Sequence, residues 1–110
     1  MKSSIINIPI YECTLELILD VDLKHIEKEY GTDSLDGFGA ITMQHPVIEK
    51  HYIVAFTDKE HLSNIVHESV HVKNYLFLDC AMENDRVNDE PEAYLMGWLF
   101  NVMHNFLKDE

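Results

Sequence analysis

Two long segments with helical periodicity, 59–79 and 89–107, follow a stretch, 1–58, that is patterned as short strands with one short helix. That order limits the fold. Strands come first and helices after, without the regular alternation that builds an all-parallel sheet. The expectation is an α+β domain with a small antiparallel or mixed sheet that carries its helices on one face. The 110 residues suit one domain with its own core and leave little room for a second. With 46% apolar residues, such a core is affordable.

Within the first half, Ile5 to Ile10 is rich in β-branched residues, and Pro9 marks a strand end or an edge. Leu15, Leu17 and Leu19 alternate with Glu16, Ile18 and Asp20 as in a second strand, although Thr14 to Leu17 also suits the start of a helix. Asp22 to Tyr30 reads as a short helix capped by Asp22 and stopped at Gly31. Residues 31–39 hold three glycines and read as loop, Ala40 to Gln44 as a short strand, His45-Pro46 as a turn. His51 to Thr57 is the strongest strand signal in the chain. The acidic linker between the long helices turns at Asn84-Asp85.

Net charge is −12. Backbone-directed nucleic-acid binding needs a Lys/Arg surface and is not expected; a cationic partner or simple mutual repulsion is. No apolar run is long enough to span a membrane, and the N-terminal residues lack the apolar core of a secretory signal. Cys13 and Cys80 make no disulfide framework and read as reduced thiols. A cytoplasmic protein is the expectation.

The first long segment contains His67-Glu68-Ser69-Val70-His71. On a helix, H-E-x-x-H puts two imidazoles on one face, one turn apart, with a carboxylate beside them. Zinc takes neutral imidazole nitrogens at ~2.0–2.1 Å, and an adjacent carboxylate can take a proton from zinc-bound water. At ~100° per residue, Leu62, Ile65, Val66, Ser69, Val70, Val72, Leu76 and Phe77 form one broad arc. His67 and His71 fall opposite, with Glu68 at the margin beside Asn64 and Tyr75. The competing reading is a solvated polar face.

In the second segment apolar residues cover more than half the circumference and leave a stripe of Glu90, Tyr94, Gly97, Asn101 and His104. That stripe is either the exposed face of a buried helix or a seam against something polar. An interior glycine costs ~1 kcal/mol against Ala, so Gly97 is expected to allow close approach of the first helix. Three carboxylates compete as a third metal ligand. Asp89 and Glu92 suit a capping box, D-x-x-E, whereas Glu90 heads the stripe and has no capping role. His104 is too far along the helix, about 21 Å at ~1.5 Å per residue, to share an ion with Glu90. His45 and His51 read as a solvated hairpin, and His25 and His61 as surface residues.

H-E-S-V-H followed by Glu90-Pro91-Glu92-Ala93-Tyr94-Leu95-Met96-Gly97 resembles the gluzincin group of zinc metallopeptidases, in which H-E-x-x-H precedes E-x-x-A-[DY]-x-x-G. Over about 59–107 the chain is most similar to small single-domain H-E-x-x-H proteins of tailed bacteriophages, in which D-E-P-x-A-Y-L-x-G-W-L follows the zinc helix. The resemblance implies one Zn2+ per chain on His67, His71 and Glu90, with Glu68 as general base of a peptide hydrolase in the host bacterial cytoplasm. Tyr94 stands where larger relatives often carry an Asp that orients a ligating His, and it supplies a hydrogen bond without the charge. Only Lys108-Asp109-Glu110 follow Leu107, so the subdomain that walls the cleft in those enzymes, with its oxyanion-stabilising His or Tyr, is not expected here. Tyr75 is the candidate substitute. The strand Tyr52, Ile53, Val54, Ala55 and Phe56 is expected to offer an edge to an extended peptide or protein substrate. A non-catalytic, zinc-stabilised acidic module that binds a host protein is the alternative, and a homodimer is a further way to complete a shallow groove.

Overall fold

A computed structural model describes residues 1–20, 22–58 and 62–108. The elements are β1 (Lys2–Ile8), β2 (Cys13–Leu19), α1 (Lys24–Tyr30), β3 (Ala40–Gln44), β4 (His51–Phe56), α2 (Leu62–Asp79) and α3 (Glu90–Lys108). The expected helix start at Lys59 and the surface placement of His61 lie outside the described residues. The fold is α+β, as the order of segments implies. One four-stranded mixed sheet has the order β1-β2-β4-β3, with β2 and β4 parallel and the other two pairs antiparallel.

Local chemistry accounts for the boundaries. β1 stops at Ile8 because Pro9 lacks the N–H that a ladder needs. Ile10 and Glu12 then turn the chain with positive φ angles of 77° and 56°. α1 starts at Lys24 with Leu23, not Asp22, at its N-cap, and the Asp22 carboxylate one residue earlier accepts the Lys24 N–H at 3.1 Å. At its end Gly31 takes the left-handed conformation, φ 67°, that side chains rarely adopt.

The core lies on both faces of the sheet. Alternate residues Leu15, Leu17, Val54 and Phe56 face α2 and α3, where they meet Ile65, Val72, Leu76, Leu95, Leu99 and Met103. Ile18, Ile53 and Ala55 face the other way and are covered by Leu23, just before α1, and Ile26 of α1. The helices therefore occupy both faces rather than one. α2 and α3 alone share a face, and α1 closes the reverse.

The strand expected to offer an edge does not. β4 is buried at every position and pairs with β2 on one side and β3 on the other. Both rows of its backbone groups are filled, so Tyr52, Ile53, Val54, Ala55 and Phe56 have no free edge for an incoming peptide. The edge strand beside α2 is β3.

α2 buries Ile65, Glu68, Ser69, Val72, Lys73, Leu76 and Phe77, and leaves Leu62, Val66 and Val70 exposed. The buried arc thus includes two charged residues in place of two valines, and each has a partner on a neighbouring element. Glu68 meets β3 through Thr42, and Lys73 meets α3 through Glu92. These contacts mark the two flanks of the helix. Ser69 stands on the α3 flank, with its hydroxyl 3.6 Å from the Met103 sulfur.

Candidate metal centre

α2 presents His67 and His71 one turn apart on its outer side, as the spacing requires. Their Nε2 atoms are 3.1 Å apart, and the rings meet edge to face at 4.8 Å between centroids. Two nitrogens bound to one tetrahedral ion at ~2.0–2.1 Å lie about 3.3–3.4 Å apart. The 3.1 Å separation is close to that bite and is also a hydrogen-bond distance between the two rings. His67 is open to solvent, with 68% of its side chain exposed.

Glu68 turns inward. Only 4% of the residue is exposed, and its Oε1 accepts a 2.8 Å hydrogen bond from Thr42 Oγ1. The other oxygen, Oε2, lies 4.0 Å from His67 Nε2. One carboxylate oxygen is thus tied to the edge strand while the other lies on the side of the His67 imidazole.

These three residues form one wall of a groove of ≈340 Å³, lined also by Leu35, Phe38, Thr42, Met43 and Tyr75. Tyr75 is half-buried and stacks on Tyr52 at 6.1 Å with an interplanar angle of 13°. Loop 31–39 and β3 supply the opposite, mostly apolar wall. A larger hollow of ≈540 Å³ lies at the β3–β4 hairpin, between Gln44 and Tyr52, and includes none of the motif residues.

The second helix is arranged differently from expectation. Glu90 is exposed in the first turn of α3, and Tyr94, Gly97 and Asn101 are exposed in line with it. The stripe is the solvent face of the helix, not a seam. A Cβ added at Gly97 would meet nothing within 4 Å, so close packing against α2 is not the reason for that glycine. Tyr94, 75% exposed, is turned to solvent. Glu92 directs its carboxylate to Lys73 Nζ at 2.8 Å rather than serving only the helix start. Among the described residues, no three His, Cys, Asp or Glu side chains are grouped closely enough to hold one ion. His67 and His71 meet half of the usual donor set; a third donor is not gathered beside them.

Three residues were not legible as parts of this site. Thr42 sits in a five-residue strand with no charge or glycine to single it out. Leu35 and Phe38 belong to a loop whose glycines signal flexibility rather than a wall. A different surprise is His51. It is buried between Thr14 and Glu16, with Nδ1 2.5 Å from Thr14 Oγ1 and Nε2 2.8 Å from Glu16 Oε1. It joins β2 to β4 on the face opposite the groove and is not a solvated hairpin residue. No helix among the described residues is long and apolar enough to cross a membrane. Comparison with protein-family models, with curated proteins and with solved structures finds no match to this chain.

Proposed function

We propose that the chain is a zinc-dependent hydrolase of peptide bonds, with His67 and His71 as metal ligands and Glu68 as general base. The observation that carries this reading is the convergence of the two Nε2 atoms to 3.1 Å beside a buried carboxylate that a hydrogen bond holds in place. A merely solvated face would not fix an acid at 4% exposure next to two imidazoles. When bound, zinc polarises a carbonyl and brings its water within reach of deprotonation near neutral pH. Glu68 would accept that proton on Oε2, the oxygen left free by Thr42.

Glu90 is the third donor in this reading. Its support is the E-x-x-A register and its place at the mouth of a connection that is exposed at every residue from Glu83 to Pro91. Extended substrate would lie along the β3 edge, over the apolar wall of Leu35, Phe38 and Met43. The net charge of −12 favours a basic peptide.

One observation favours the second reading, a zinc-stabilised acidic module that binds a host protein. The imidazole pair is open to solvent and lacks a gathered third ligand. Equilibrium dialysis against zinc tests the metal common to both readings. About one zinc per wild-type chain is expected, and less than about a tenth of that in His67→Ala or His71→Ala. A wild type that takes up no zinc would remove both.

A further inference from the structure

We propose that Thr42 is a positioning residue for Glu68. It holds carboxylate oxygen Oε1 from the edge strand, so that Oε2 is presented to the His67 imidazole. This inference rests on the hydrolase reading above. It adds a residue that lies outside both sequence motifs.

The geometry is specific. β3 alternates, with Ile41 and Met43 packed towards the α1 face and Ala40 towards the core under α2 and α3. Thr42 shares the parity of Ala40, and its hydroxyl reaches Glu68 Oε1 at 2.8 Å and the Glu68 carbonyl oxygen at 3.5 Å. The nearby hydroxyl of Ser69 is not available for this task. It donates back to the Ile65 carbonyl at 2.6 Å, on the flank facing Met103. Thr42 is thus the hydroxyl that anchors the buried acid.

A glutamate has three rotatable bonds, and a general base works only when its oxygen is held within hydrogen-bond reach of the proton it takes. Pinning one oxygen fixes the plane of the carboxylate and therefore the position of the other. Without the pin, rotation about those bonds carries Oε2 away from its place 4.0 Å from His67 Nε2. A β-branched residue in a strand has a restricted χ1, so threonine presents its hydroxyl in one direction more firmly than serine does.

The test uses the full chain loaded with zinc. Thr42→Val removes the hydroxyl and keeps the shape and strand preference; Thr42→Ala repeats the deletion should valine disturb the fold. The expected result is wild-type zinc content and unchanged KM, with kcat for peptide cleavage lowered about ten- to a hundredfold. Thr42→Ser should restore kcat to within about threefold. In a Glu68→Gln background, Thr42→Val should have no further effect, because it acts through that carboxylate. Unchanged kcat in Thr42→Val at equal zinc, or an additive loss in the double variant, overturns the inference and leaves the hydrolase reading intact. A wild type without zinc, or with cleavage indifferent to Glu68→Gln, overturns the reading and this inference together.

Discussion

Lys73 of α2 and Glu92 of α3 form an ion pair of 2.8 Å between the two long helices, with 9% and 34% of their side chains exposed. The ammonium also donates to Asn84 Oδ1 at 3.1 Å and lies 5.6 Å from the centre of the Phe77 ring. A buried charge that keeps its partner is tolerated, and one that loses it is not. Glu92→Gln should therefore destabilise the fold by about 1–2 kcal/mol, reduced from fully buried values because the carboxylate is partly solvated. Lys73→Met removes the charge and keeps the stem, and should be neutral or stabilising by up to about 1 kcal/mol. Urea unfolding of the two variants and the wild type measures both. Equal destabilisation by both would mean that the pair itself, not the stranded charge, carries the effect.

The same pair separates two neighbouring glutamates. Glu90→Gln should lose most of the bound zinc while unfolding like the wild type in the absence of metal, since its side chain is exposed. Glu92→Gln should lower stability and keep the metal. Zinc content and metal-free unfolding of each variant give the four numbers needed. Zinc retained in Glu90→Gln would assign the third ligand elsewhere.

Alkaline pH should weaken the fold through two tyrosines. Burial, reinforced by the hydrogen bond to Asp79, pushes the Tyr52 hydroxyl well above the ordinary tyrosine range. Burial and the Glu16 carboxylate push Tyr30 up to about 12. Both groups hold their protons more tightly folded than unfolded. Their contribution is fully present below the unfolded value near 10, and falls progressively as pH rises towards and past about 12. Unfolding free energy should decline from about pH 10 upward. Tyr52→Phe should be less stable at neutral pH, having lost the 2.6 Å bond to Asp79, and should decline less steeply. Parallel slopes for the two proteins would place the alkaline sensitivity elsewhere.

Tyr75 gives a further prediction. It lines the groove beside Glu68 and His71, and its ring is held against Tyr52. Tyr75→Phe keeps the stack and removes only the hydroxyl. If that hydroxyl stabilises the oxyanion, cleavage should fall about 10²-fold at unchanged zinc content and stability. Steady-state kinetics on zinc-matched protein decides the role.

Periodicity made most of the secondary structure legible, because apolar spacing separates helix from strand, but it did not fix the buried face of α2, where Leu62, Val66 and Val70 are exposed. It revealed less about which strand lies where. The place of Tyr52 to Phe56 directly before α2 suggests an edge, yet its unbroken apolar character is itself the mark of a strand buried on both faces. The burial of Glu68 and Lys73 follows from partners 26 residues before the one and 19 after the other, Thr42 and Glu92, and no local pattern announces such pairs. Gly97 depends in the same way on what lies across from it. A helix glycine signals close approach only when something lies opposite it, and here solvent does.

The most direct test of the central claim compares the wild type with Glu68→Gln, with zinc measured on both. Glu68 is assigned as a base and not as a ligand, so the variant should keep about one zinc per chain and its fold. Peptide cleavage should fall ~10²–10⁴-fold, the worth of one proton-transfer residue. Equal cleavage at equal zinc would contradict the account and leave an acidic, metal-stabilised binding module.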